Sequence, residues 1–161
     1  MNNLTKEQGA MELTLLNAEY SQARFDDALV EGLALGVPAE IMTRLEAIWA
    51  ASKSVAGEVV AIGKIVVAQI LAFLRANSGI ATGIALGAAV GVLTAFIPFI
   101  GPLLAPLSAT VAMLWGAGIG ASFDAGLPTS DPLVAAVQLA KKFFELLQAI
   151  FLAVSEHVRP I

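Results

Sequence analysis

The chain contains no cysteine in 161 residues. That excludes a disulfide framework, a thiolate metal site and a cysteine nucleophile. Histidine occurs once, as His157. A lone imidazole beside Glu156 lacks the partners that a ligand set or a general base requires, so it is expected to be solvated. Charge is scarce as well. Charged residues make up 14% of the chain, against about a quarter in an average soluble domain. The formal net charge is −4, and no basic surface is available to face phosphates, so nucleic acid is not an expected partner. No polar n-region and apolar h-region open the chain at Met1-Asn2-Asn3-Leu4-Thr5-Lys6-Glu7, and no cleavable signal peptide is expected.

Apolar residues are abundant. They account for 58% of the chain, and mean hydropathy is +0.82. Disorder is excluded, because disordered chains are poor in such residues. The few charges are unevenly placed. Residues 1–75 carry most of them, residues 76–123 carry none, and residues 124–161 are mixed. Three regions follow: an acidic helical region at 1–75, an uncharged apolar block at 76–123, and an amphipathic C-terminal helix at 124–161.

Thr5 and Gln8 have the spacing of a capping box, which opens a helix expected over about 5–35. Gly36-Val37-Pro38 ends it. A second helix is expected over about 38–75. Its apolar row Ile41, Leu45, Ile48, Ser52, Val55, Val59, Ile62 and Val66 alternates steps of four and three, the spacing of coiled-coil-like packing. Residues 41–73 are therefore also an expected face for a protein partner. Ser130-Asp131-Pro132 opens the C-terminal helix, which is expected to run to about 157. No strand alternation is evident.

About 20 residues cross a bilayer core as a helix, so the 48-residue uncharged block has room for two crossings, expected at 79–97 and 103–121. Pro98, Gly101, Pro102 and Pro106 mark the turn between them. Gly79, Gly83, Gly87 and Gly91 recur every four residues, and Ser108, Ala112, Gly116 and Gly120 repeat the spacing in the second half. In lipid, such small-residue rows allow helix backbones to approach closely. Flanking cations at Lys64, Arg75, Lys141 and Arg159 would hold both termini in the cytoplasm by the positive-inside rule.

The expected architecture is all-α: a helical bundle of two N-terminal helices and a C-terminal amphipathic helix, joined to a two-helix apolar transmembrane hairpin. The expected function is a small integral membrane protein that homo-oligomerises through glycine-zipper helices and forms a pore or permeabilises the bilayer. Two alternatives are a membrane scaffold anchored by the hairpin, and a subunit of a large soluble assembly that buries it. No enzyme activity, metal or cofactor is expected. Asp26-Asp27 and Asp124/Asp131 are better explained by helix solvation and capping than as catalytic pairs. Gly116-x-Gly118-x-Gly120 lacks the third glycine position and the preceding strand of a dinucleotide loop. Lys64 is expected to snorkel to an interface.

Overall fold

The computed structural model describes residues 4–97, 99–115 and 131–160. Helix dominates, as expected. The N-terminal region forms α1 (Lys6–Tyr20), α2 (Phe25–Ala34) and α3 (Ala39–Trp49). The capping box is formed: the Gln8 N–H donates to Thr5 Oγ1 at 3.1 Å, and the Thr5 N–H donates to Gln8 Oε1 at 2.9 Å. Two of the orphan donors of the first turn are thereby satisfied.

The single helix expected over 5–35 is divided. Ser21 Oγ donates to the Ala18 carbonyl, competing with the backbone ladder at the end of α1. The Lys64 ammonium donates to the Ser21 carbonyl at 3.2 Å and lies 5.8 Å from the Trp49 ring centroid. Lys64 thus holds the α1–α2 turn rather than snorkelling to an interface. α2 ends in a Schellman motif: the Val37 N–H donates to the Gly32 carbonyl and the Gly36 N–H to the Leu33 carbonyl. Gly36 takes the required left-handed backbone, φ 90°.

The helix expected over 38–75 is interrupted by a hairpin. β1 (Lys53–Val55) pairs antiparallel with β2 (Glu58–Val60), with Val55 opposite Glu58. α4 (Ile62–Ala76) follows. The two loop residues, Ala56 and Gly57, both have positive φ, 51° and 88°. That is the signature of a type I′ turn, whose twist suits two-residue hairpins. Val55 and Val60 face the core, while Val59 faces out. Three residues of the 3.5-residue row, Ser52, Val55 and Val59, therefore do not belong to a helix. Asn17 of α1 braces the junction: its Oδ1 accepts the Ala61 N–H at 2.9 Å and its Nδ2 donates to the Val59 carbonyl at 3.3 Å. Ala56 pays the usual steric cost of left-handed backbone on a residue with a Cβ. Ala56→Asn supplies the residue type that a type I′ turn favours at this position. It is expected to raise stability by about 0.5–1 kcal/mol, read as a higher urea midpoint at unchanged slope.

The uncharged block forms α5 (Thr82–Phe96) and α6 (Gly101–Trp115). Each has 15 residues, about 22 Å of helix, against a bilayer core of about 30 Å. Among the described residues, no helix is long and apolar enough to cross a membrane. The crossings expected at 79–97 and 103–121, the integral membrane localisation and the orientation with cytoplasmic termini are corrected by this finding. The turn is also shorter than expected. Gly101 and Pro102 open α6, and Pro106 lies inside it. Pro102 sits in the first turn, where a missing N–H costs little. Phe99 makes the sharp corner with a left-handed φ of 61°, and its ring packs on Phe151 at 5.6 Å between centroids.

α5 is the centre of the molecule. It packs against α4, α6 and the next helix, α7 (Asp131–Phe143). Positions 83, 85–90, 92 and 93 are all buried. A helix that is apolar all round must be buried, in lipid or in protein; here the surrounding helices supply the apolar environment. After a bend at Phe144, α8 (Glu145–Val154) packs along α1. A 3₁₀ turn at Ser155–His157 leads into β3 (Val158–Arg159), which pairs with β1 to give the strand order β2-β1-β3. One continuous core runs from Leu13 through Leu86 to Val154, so the three sequence regions fold around common contacts.

Candidate interaction surface

Among the described residues, no group of three or more His, Asp or Glu is placed to hold a metal ion. His157 contributes its backbone carbonyl, which accepts the Ala56 N–H at 3.2 Å and ties the C-terminus to the hairpin. Asp26 pairs with Arg24 at 3.3 Å on the open surface. Asp124 lies outside the described residues. The Tyr20 hydroxyl has a raised pKa, because burial disfavours the phenolate and the neighbouring Glu19 adds to the effect; it accepts a hydrogen bond from Gln69 at 3.3 Å. Among the described residues, two small clefts can be placed. One, of about 160 Å³, lies between α1 and the hairpin. The other, of about 230 Å³, lies beside Leu35, Leu74 and Thr82. Both are smaller than ordinary small-molecule sites, which start at about 300 Å³.

The glycine rows are only partly brought together. Gly79 is not on a helix: it lies in the exposed turn before α5, and a Cβ there would meet nothing within 4 Å. It therefore makes no close helix contact. Gly83 and Gly87 are buried and Gly91 half-buried along α5, inside the bundle. Ser108 and Ala112 are half-buried on α6. Gly116, Gly120 and Pro98 lie outside the described residues. Close approaches occur instead at three glycines that the four-residue spacing does not mark. A Cβ at Gly9 would collide with Ala153 of α8, one at Gly32 with Met42 of α3, and one at Gly63 with the Ile48 carbonyl of α3. Each is a solitary glycine, and only its neighbour in space reveals its role.

Apart from Ser52 and Val59, which are exposed, the row expected to bind a partner through residues 41–73 faces inward. Ile41, Leu45, Ile48, Ile62, Val66, Ile70 and Phe73 are all buried in the chain's own core.

Apolar side chains are exposed on several helices, but the outer face of α6 carries them without any charge. Leu104, Leu107, Thr110 and Val111 point inward against α5 and α3. Pro102, Ala105, Pro106, Ala109 and Met113 are exposed. Their spacing of three, one, three and four places them on one stripe about 100° wide. Met113 is 75% exposed. The stripe carries no charge, because residues 76–123 contain none. On a surface helix the outward side is ordinarily the charged one, and α6 inverts that expectation. Ala105 and Ala109, one turn apart, leave it shallow enough for another helix to approach. The spacing is present in the sequence, but an outward apolar side is equally what a lipid-facing helix needs.

The stripe has a polar border on the α3 side. Arg44 Nε donates to Thr110 Oγ1 at 3.2 Å, and Thr110 Oγ1 donates to the Pro106 carbonyl at 3.0 Å. Thr110, only 5% exposed, thereby holds the Arg44 side chain against the edge of α6. No family model, curated protein or solved structure matches this chain.

Proposed function

We propose that this protein is a non-catalytic helical subunit that self-associates through the outer face of α6. The supporting observation is the uncharged stripe Pro102, Ala105, Pro106, Ala109 and Met113. A two-fold interface must be self-complementary, since the same patch serves both copies. A shallow face without charge meets that demand: nothing in it repels its own copy, and its alanines let two α6 helices come close. A membrane surface is a poorer occupant, because interfacial helices carry Lys or Arg beside aromatic anchors, and this stripe has neither. Permeabilisation of a bilayer is not part of the proposal, because among the described residues no helix is long and apolar enough to cross one.

One 15-residue helix face buries less than the roughly 800 Å² per partner of a standard stable complex. A dissociation constant in the micromolar range is therefore expected, on the order of 8 kcal/mol. Sedimentation equilibrium between about 1 and 100 μM tests this. The wild-type chain is expected to move from monomer to dimer over that range. Met113→Glu is expected to remain monomeric while keeping its helical circular dichroism, because burying an unpaired carboxylate within the contact costs several kcal/mol. A wild-type chain that stays monomeric throughout the range would overturn the proposal.

A further inference from the structure

We infer that Glu40 and Arg44 of α3 form a reciprocal ion-pair clasp between two copies and set their α6 helices antiparallel. The inference rests on the α6 contact proposed above and specifies its geometry. Glu40 and Arg44 are one turn apart on the same side of α3, the side that borders α6, and both are exposed. Arg44 is tied to that border by its Nε bond to Thr110, and the residue as a whole is exposed. Among the described residues, Glu40 and Arg44 make no ion pair with each other or with another group; the pairs present are Arg24–Asp26 and Arg75–Glu31. Glu46, the remaining acid of α3, lies on the helix's other flank.

Symmetry decides what these two charges can meet. A two-fold axis lying in the interface at right angles to α6 makes the two α6 helices antiparallel. It also brings both α3 helices to the same side of the contact, running in opposite directions. Arg44 of one copy then faces Glu40 of the other, and the reverse pair forms by symmetry. An axis running along α6 would put the two α3 helices on opposite sides, where neither charge gains a partner. The uncharged stripe permits either arrangement, and the flanking charges favour the antiparallel one. Rim charges of this kind select orientation and partner more than they add affinity.

Charge exchange tests the clasp by sedimentation equilibrium in low salt. Arg44→Glu and Glu40→Arg are each expected to weaken the dimer about ten-fold, since each replaces two attractions by two repulsions. The double variant E40R/R44E restores the pairing in reverse and is expected to return to within about three-fold of wild type. It also lacks the Arg44–Thr110 bond, so recovery reports charge pairing rather than local structure. Single variants that weaken the dimer with no recovery in the double variant would overturn the clasp. So would four proteins that dimerise equally, and that result leaves the α6 contact standing if Met113→Glu is still monomeric. A wild-type protein that never dimerises removes both.

Discussion

Gly63→Ala is expected to cost about 4 kcal/mol and to lower the melting temperature by on the order of 10 °C. Gly63 lies in the first turn of α4, where α4 crosses the end of α3. A Cβ built there falls inside the shell of the Ile48 carbonyl oxygen and under 3.0 Å from the carbonyl carbon. These are backbone atoms of a helix, so no rotamer change relieves the clash. The Gly63 N–H also donates to the Ala51 carbonyl at 3.0 Å, and any shift of α4 away from α3 stretches that bond. Moving α4 would disturb the hairpin behind it as well, since Asn17 bridges Val59 and Ala61. Gly79→Ala is the matched control. Its Cβ enters open space, so the substitution is expected to be neutral or to stabilise by about 0.5 kcal/mol through the unfolded chain. Chemical denaturation of both variants separates the two kinds of glycine. A Gly63→Ala chain as stable as wild type would mean that α3 and α4 do not approach as described.

The contrast between these glycines explains which features could be read from the sequence. Signals that act within a few residues were legible. The Thr5–Gln8 capping box and the Gly36-Val37-Pro38 stop each depend on backbone groups close by in the chain, and both are formed. The break at residues 50–61 was not legible, because Val55 and Val59 satisfy a helical repeat as well as they fill a short ladder. The deciding signal was the pair Ala56-Gly57 at the centre of a run rich in valine, a weaker turn signal than Asn-Gly. The apolar block misled for a different reason. A helix apolar on every side demands an apolar solvent, and the chain composition does not say whether lipid or protein provides it. Length decides, and length depends on where the helices stop. The turn at 77–80 and the corner at Phe99 hold α5 to 15 residues, and α6 has 15 among the described residues, so the uncharged stretch yields a core helix and its neighbour. The candidate surface was legible only in part. The absence of charge on α6 was plain in the sequence, but which side of α6 is open follows from where α3 and α5 pack.

Phe73→Ala is expected to be the most damaging truncation in the core, at about 3–5 kcal/mol. Phe73 of α4 is fully buried. Its ring lies 5.4 Å from that of Phe143 and 5.6 Å from that of Phe144, and those two rings meet edge to face at 5.1 Å. The trio sits at the bend between α7 and α8. Truncation removes apolar burial, leaves a ring-sized cavity and deletes two ring pairs, each worth about 0.5–1.5 kcal/mol beyond area. The surroundings cannot close over the gap easily, because Phe144 is itself buried and is anchored by its N–H to the Ala140 carbonyl at 2.9 Å. Phe143→Ala should cost clearly less, since that ring is 36% exposed and already partly solvated. Phe73→Leu should fall between them, as it keeps most of the hydrocarbon and loses the ring geometry. Urea unfolding of the three variants gives the order. If Phe143→Ala proved the most costly, the ring buried under α4 would not be the one that holds the bend, and α7 and α8 would have to meet α4 differently.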